Sequence, residues 1–143
     1  MMNNADLQQI AQSIIEKSQP LFDTVKSISN DLIQNAGNTS LDVYYTYLDK
    51  LTGIYTNLIE SYKKLRALKK NKEAEYYYML KLQHDSENKK FVSAVAEQEA
   101  SLYVAPLRTA RDILEGYVDA VARLIDTCRT HIYEQIKDRR YEI

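Results

Sequence analysis

The chain has 143 residues, of which 45% are apolar and 27% are charged, which is typical of one globular domain and too apolar for a disordered protein. Only three glycines and two prolines occur, which argues against a many-stranded sheet, because such a sheet needs turn residues about every 8–12 positions. The formal net charge of −1 does not by itself exclude any class of binding partner, but the charged residues are unevenly distributed along the chain.

The first segment, residues 1–37, has apolar residues at steps of three and four, the period of an amphipathic helix. Pro20 lies within this run. Because proline lacks a backbone N–H and clashes with the preceding turn, we expect a break or a kink near Gln19. Gly37 is typical of a helix C-cap at the end of the segment. The apolar positions are Leu7, Ala11, Ile14, Leu21, Val25, Ile28 and Leu32.

The second segment, residues 40–84, has the most regular apolar pattern. Thr39-Ser40-Leu41-Asp42 is typical of a capping box that opens a helix. No glycine or proline occurs between Gly53 and Pro106, so we expect this helix to continue to about residue 83, where the polar run 84–88 predicts a turn. The apolar stripe consists of Leu41, Tyr44, Leu48, Leu51, Tyr55, Leu58, Tyr62 and Leu65.

The last segment, residues 90–140, again has a helical period, and Pro106 predicts a kink within it. A short arm would precede the kink, and a rod of roughly 33 residues, about 50 Å long, would follow it. Its apolar residues form two adjacent seams. One contains Leu107, Ala110, Leu114, Tyr117, Val121, Leu124 and Cys128, and the other contains Val118, Ile125 and Ile132.

Together these segments predict an all-α fold, an elongated bundle of about four helices with a long, Pro-kinked C-terminal helix, in a single helical domain of residues 1–143. A rod of about 50 Å exceeds the roughly 30 Å diameter of a compact domain of this size. Its apolar stripe is also wider than a two-stranded coiled coil requires. We therefore expect a homo-oligomer that buries apolar seams between chains.

The sequence offers no arrangement of residues that is typical of an active site. Neither His84 nor His131 lies in a metal-binding spacing, and three isolated glycines cannot form a phosphate-binding loop. Cys128 is the only cysteine, and its place on an apolar seam predicts a small buried hydrophobe. We expect no catalytic residue, metal, cofactor or small-molecule substrate.

Localisation is predicted from the absence of targeting signals. The N-terminus lacks the basic and apolar regions of a signal peptide, and no stretch approaches the roughly 18 apolar residues of a membrane span. A lone cysteine suits a reducing compartment. We expect a cytoplasmic protein that does not bind membranes.

The positive charge is concentrated in residues 61–90, which carry nine Lys/Arg against four Asp/Glu, a net charge of +5, whereas residues 1–60 have a net charge of −4 and residues 91–143 a net charge of −2. Basic residues attract a phosphate backbone, and aromatic rings can stack on exposed bases. The alternative is a solvated helix surface without a ligand.

Residues 76–78 are three tyrosines that cannot all face one way, so at least one should pack in the core. The candidate nucleic-acid-binding residues are Lys63, Lys64, Arg66, Lys69, Lys70, Lys72, Tyr76, Tyr77, Lys81, Lys89 and Lys90.

Three stretches carry a resemblance to a known family. They are the basic run from Tyr62 to Lys72, the three tyrosines that follow, and the closing segment from Ile113 through Cys128 to Glu142. From about residue 58 onward, the order of these features resembles small helical proteins of bacteriophage recombination modules, most closely the UvsY-type recombination mediator family. The resemblance implies a helical oligomer that binds single-stranded DNA and assists the loading of a recombinase.

Two functions are thus predicted by different features. The first is a non-enzymatic nucleic-acid-binding accessory protein, a phage-type recombination mediator that binds single-stranded DNA. The second is a helical scaffold or protein–protein interaction module with no role in nucleic-acid binding, in which the lysines only solvate the surface.

Overall fold

A computed structural model describes residues 1–141 of the chain, and Glu142, the last residue of the resemblance, lies outside this range. The described residues contain no strand. They form four α-helices in chain order, α1 (Asn4–Gln34), α2 (Leu41–Ser86), α3 (Ser93–Tyr103) and α4 (Ala105–Tyr141). The predicted all-α fold with four helices is confirmed.

Two compact units share these helices. Unit 1 consists of Met1–Glu16 and Ser61–Ile113, and unit 2 consists of Lys17–Glu60 and the chain from Leu114 onward. Helices α1, α2 and α4 each contribute one part to each unit. The single domain of residues 1–143 stays a prediction.

Helix α1 begins with a capping box that the sequence pattern did not reveal. The Asn3 side-chain oxygen accepts from the Asp6 N–H at 2.8 Å, and the Asp6 carboxylate accepts from the Asn3 N–H at 3.0 Å. These two bonds satisfy N–H groups that a helix start leaves without partners. The capping box predicted at residues 39–42 does not form as expected. The cap lies one residue later, where Ser40 Oγ accepts from the Val43 N–H at 3.4 Å and valine cannot return a side-chain bond.

Pro20 does not break α1, which runs without interruption from Asn4 to Gln34. A proline inside a helix removes one backbone hydrogen bond, but tertiary packing can outweigh that loss. Phe22 and Val25, just after the proline, are 2% and 4% exposed, and their burial holds this turn in place. The predicted break is therefore wrong, and a kink at this position stays a prediction.

The ends of α1 and α2 agree with the predicted turns. Gly37 has a φ of +83°, the left-handed conformation that favours glycine at a helix C-cap. Helix α2 ends at Ser86, and Asn88 adopts a φ of +52° while the Lys89 N–H donates to the His84 carbonyl at 2.9 Å. The turn predicted at residues 84–88 thus starts three residues later, since the helix includes His84, Asp85 and Ser86.

The last segment contains two helices, separated at Val104. Pro106 is the second residue of α4, within its first turn, where a missing N–H costs no intrahelical bond. Val104 is fully buried and its N–H donates to the Ala100 carbonyl at 3.3 Å, so the point of separation is fixed by packing. A kink within α4 stays a prediction.

The core of unit 1 joins the start of α1 to the C-terminal half of α2 and to α3. Tyr103 anchors it, because its hydroxyl donates to the Met2 carbonyl and its own carbonyl accepts from Asn4 Nδ2 at 3.0 Å. The buried apolar side chains are Leu7, Ala11, Leu65, Leu80, Ala96, Ala100, Tyr103, Val104, Leu107 and Ala110.

The core of unit 2 contains most of the paired seams of the last segment, although Tyr117 and Leu124 of the first seam are only half-buried. Leu114, Val121 and Cys128 of the first seam are fully buried, and Val118, Ile125 and Ile132 of the second seam are 8–9% exposed. The Phe22 and Tyr117 rings stack at 3.9 Å between centroids. The prediction that Cys128 is buried is confirmed, and burial raises the pKa of its thiol.

Candidate nucleic-acid interface

The candidate nucleic-acid-binding residues all belong to unit 1. Those from Lys63 to Lys81 lie on the C-terminal half of α2, while Lys89 and Lys90 lie in the connection to α3. Because one rigid helix presents most of them, their relative positions follow from the helical period of 3.6 residues.

Three of the candidate lysines are held in ion pairs. Lys69 Nζ lies 2.7 Å from a Glu73 oxygen, and Lys72 Nζ lies 3.2 Å from a Glu75 oxygen. Both lysine side chains are mostly covered, at 15% and 19% exposure. Lys89 pairs with Glu87 at 2.9 Å, and this pairing raises the pKa of the lysine and lowers that of the carboxyl. Lys64 also has an interaction partner. The three ion-paired lysines therefore offer less positive charge to a ligand than the sequence suggests.

The side of α2 opposite its buried residues carries the remaining basic pattern. Lys63 and Lys81 are 18 positions apart, which is five turns, so they point the same way and are separated by roughly 27 Å along the axis. Lys70 lies between them and close to the same line, two turns after Lys63. All three side chains are exposed. We call Lys63, Lys70, Tyr78 and Lys81, with the intervening small residues Ala67 and Ala74, the outer face of α2. Arg66 and Lys90 are exposed as well.

The three tyrosines divide between packing and solvent. Tyr76 is half-buried, and its ring stacks on that of Tyr103 with centroids 4.3 Å apart and an interplanar angle of 15°. Tyr77 is half-buried and meets the Phe91 ring edge-on at 5.6 Å. Tyr78 is 60% exposed. The expectation that at least one of the three packs in the core is met only in part, because Tyr76 and Tyr77 are half-buried and none of the three is fully buried. The exposed ring of Tyr78 has a face on which a base could stack.

Tyr78 is absent from the sequence-based candidates, although a signal for it existed. The buried positions Leu65 and Leu80 define the inner side of α2. Counting 100° per residue from them places Tyr78 on the opposite side with Lys63 and Lys81, and places Tyr76 on the inner side.

An open groove of about 720 Å³ runs between α2 and α3 beside the outer face. Ala100, which is 1% exposed, lies at the bottom of the groove, and Ala74 lines its α2 side with a small side chain. Charged and aromatic side chains form its walls. The lining residues are Lys70, Glu73, Ala74, Tyr77, Tyr78, Glu97 and Ala100.

A second groove of about 770 Å³ lies on another surface of unit 1, between the first half of α1 and the start of α4. Ala11, Ile15, Pro106 and Ala110 give it an apolar character. Leu102 at 66% exposure and Ile113 at 40% exposure also line it. Large exposed apolar side chains around a groove are typical of a surface that contacts another protein.

Both histidines have structural contacts. A ring nitrogen of His84 lies 2.8 Å from the Leu80 carbonyl, and its ring meets Phe91 edge-on. His131 stacks on Tyr44 at 5.0 Å. Within residues 1–141, no group of three or more histidine, cysteine or acidic side chains is arranged to hold a metal ion.

None of the helices in the described range has both the length and the apolar character that crossing a membrane requires. The chain matches no family model, no curated protein and no solved structure at a significant level.

Proposed function

We propose that this protein binds single-stranded DNA through the outer face of α2, without catalysing a reaction. The observation that carries this proposal is the alignment of Lys63, Lys70 and Lys81 on one exposed face. The exposed ring of Tyr78 lies on the same face. Lysines spaced along a line can each meet a phosphate and release its counterions. An exposed aromatic ring offers a surface on which a base can stack, with little dependence on sequence.

A charge-reversal variant tests this proposal. Lys63, Lys70 and Lys81→Glu removes the three aligned cations, and Lys17, Lys50 and Lys137→Glu makes the same change in net charge at exposed positions of unit 2. Binding of a labelled 20-nucleotide single strand is followed by fluorescence anisotropy at several salt concentrations. We expect the first variant to lose at least tenfold in affinity and the control to lose much less.

The salt dependence gives a second readout. Each phosphate contact in a single strand contributes about 0.7 to the slope of log affinity against log salt, so removing three contacts should lower the slope by about 2. Equal affinities and slopes for both variants would overturn the assignment of the outer face. Absence of binding by the unmodified protein at low salt would overturn the function itself.

The recombination role is a further part of the proposal and rests on the resemblance to UvsY-type mediators. In this role the protein is a cytoplasmic partner of a phage-type recombinase and assists its loading onto a strand covered by a single-strand binding protein. The test measures recombinase ATP hydrolysis on such a covered strand with increasing amounts of this protein. Stimulation that the outer-face variant lacks supports the role, and no stimulation contradicts it.

A protein-interaction function is the second candidate, and the groove beside Leu102 favours it. The exposed Leu102 side chain and the apolar groove occur on the same surface of unit 1. A patch that combines a projecting side chain with a cavity can pair with a second copy of itself about a two-fold axis. The homo-oligomer expected from the sequence is therefore proposed to use this surface, and it is compatible with a free outer face on α2.

A further inference from the structure

The groove between α2 and α3 has the dimensions and composition of a site for a flat aromatic ligand. Its volume of about 720 Å³ lies within the roughly 300–1,000 Å³ of small-molecule sites. Two alanines, Ala74 and Ala100, leave its middle unobstructed, and Tyr77 and Tyr78 line it. The exposed Tyr78 ring therefore offers a face to a planar ligand in the groove.

The groove also opens beside the outer face of α2. Lys70 and Tyr78 belong to both, so a strand that follows the lysines passes the mouth of the groove. A phosphate near Lys70 would leave its neighbouring base close to Tyr78, since a base and its phosphate are joined through one sugar. This part of the argument rests on the proposed binding of single-stranded DNA.

The remaining wall residues are carboxylates, which can only accept hydrogen bonds when ionised. Glu73 is engaged by Lys69 at 2.7 Å, whereas Glu97 on α3 is exposed and lines the groove. A carboxylate accepts from the amino group of cytosine, and it opposes the carbonyl oxygen at the same position of uracil or thymine. Glu97 thus supplies a chemical basis for selecting one base over another.

We propose that this groove binds a nucleobase and prefers bases that present an amino group, such as cytosine, over uracil and thymine. Tyr78 stacks on the base, Lys70 contacts the adjacent phosphate, and Glu97 accepts from the amino group. The ligand class is therefore a single strand rich in cytosine or adenine, read at one base by α3 while α2 holds the backbone.

The test compares two strands whose bases differ at position 4, which is an amino group in cytosine and a carbonyl in uracil, and at N3, which carries a proton only in uracil. Oligodeoxycytidine and oligodeoxyuridine of 20 nucleotides are titrated against the full chain by fluorescence anisotropy at the same salt concentration. One hydrogen bond to a charged acceptor predicts a preference for deoxycytidine of about threefold to tenfold. Glu97→Gln should abolish this preference, because an amide can also donate to the uracil carbonyl.

Glu99→Gln is the matched control. Glu99 lies on the same helix and loses the same charge, but it lines a separate small cavity near Phe91, so this variant should keep the preference. Equal affinity of the unmodified protein for the two strands would overturn the base preference while leaving strand binding intact. A preference that survives in Glu97→Gln would overturn the role of this groove. Failure of both strands to bind would overturn the inference together with the proposed function.

Discussion

At the scale of single residues, the contact between Tyr47 and Asp31 joins α2 to α1 within unit 2. The Tyr47 hydroxyl donates to the Asp31 carboxylate. This bond, with burial and the nearby negative charge, raises the pKa of Tyr47 to about 12. Because the bond needs the protonated phenol, its contribution to stability is complete below about pH 10 and is lost as the pH rises through about 12.

Tyr47→Phe should destabilise the protein by about 1 kcal/mol near neutral pH, since it removes a hydrogen bond to a charged acceptor and leaves the ring in place. Urea unfolding measures this change. A pH titration followed by the tyrosinate absorbance near 295 nm should also show that the variant has lost the phenol with the raised pKa of about 12. Tyr45→Phe, at a position 44% exposed, is the control, and an equal effect in both variants would contradict the role of this bond.

Cys128 gives a prediction about accessibility. The side chain is fully buried, and burial raises the pKa of the thiol, so both access and thiolate content are low in the folded state. We expect a thiol reagent such as 5,5′-dithiobis(2-nitrobenzoate) to react at least tenfold more slowly with the native protein than with the protein in concentrated urea. Rapid reaction without denaturant would show that this part of the core opens readily.

At the scale of elements, α1 shows how packing outweighs local propensity. Pro20 predicted a break, but the helix continues through it, with Thr24 Oγ1 donating to the Pro20 carbonyl at 3.1 Å. In α4, by contrast, Pro106 falls within the first turn, where its ring is compatible with the helix. One residue type therefore has different effects because one site lies inside a packed helix and the other at a helix start.

Pro20→Ala should stabilise the protein, because alanine restores the missing backbone donor and removes the ring clash at an exposed position. The intrinsic helix penalty of proline, about 3 kcal/mol, sets the upper limit, and the greater freedom of the unfolded chain reduces the gain to about 1–2 kcal/mol. The gain in stability is measured as a rise in the midpoint of thermal unfolding. Gln19→Ala, also exposed in α1, should change the midpoint little. A neutral Pro20→Ala would contradict a continuous α1.

At the scale of the whole molecule, exposed apolar side chains point to assembly. Leu102 is 66% exposed beside an apolar groove of unit 1, and Val95 on the same helix is 52% exposed. Covering such side chains removes apolar area from water, worth about 25 cal/mol per Å². Association through this surface would leave the outer face of α2 available to a strand.

Light scattering should give a molar mass of at least twice the 16.6 kDa of one chain. Leu102→Asp should shift the mass towards that of a monomer, because it places a charge where the second copy packs. Leu82→Asp, at a residue 52% exposed on α2 that does not line the groove, is the control. A monomeric mass for the unmodified protein would contradict the proposed self-association.

The sequence by itself determined the helical class, the approximate number of helices, the turns near Gly37 and Asn88, and the burial of Cys128, because these follow from local period and from residues with special backbone preferences. The tertiary structure decided what depends on neighbours distant in the chain. It carried α1 through Pro20, separated α3 from α4 at Val104 and stacked Tyr76 on Tyr103. The ion pairs of Lys69 with Glu73 and of Lys72 with Glu75 are local, by contrast, because their spacings of four and three residues place the partners on one side of α2. Composition located the basic segment, and the packed helices determined how far each of its side chains is exposed.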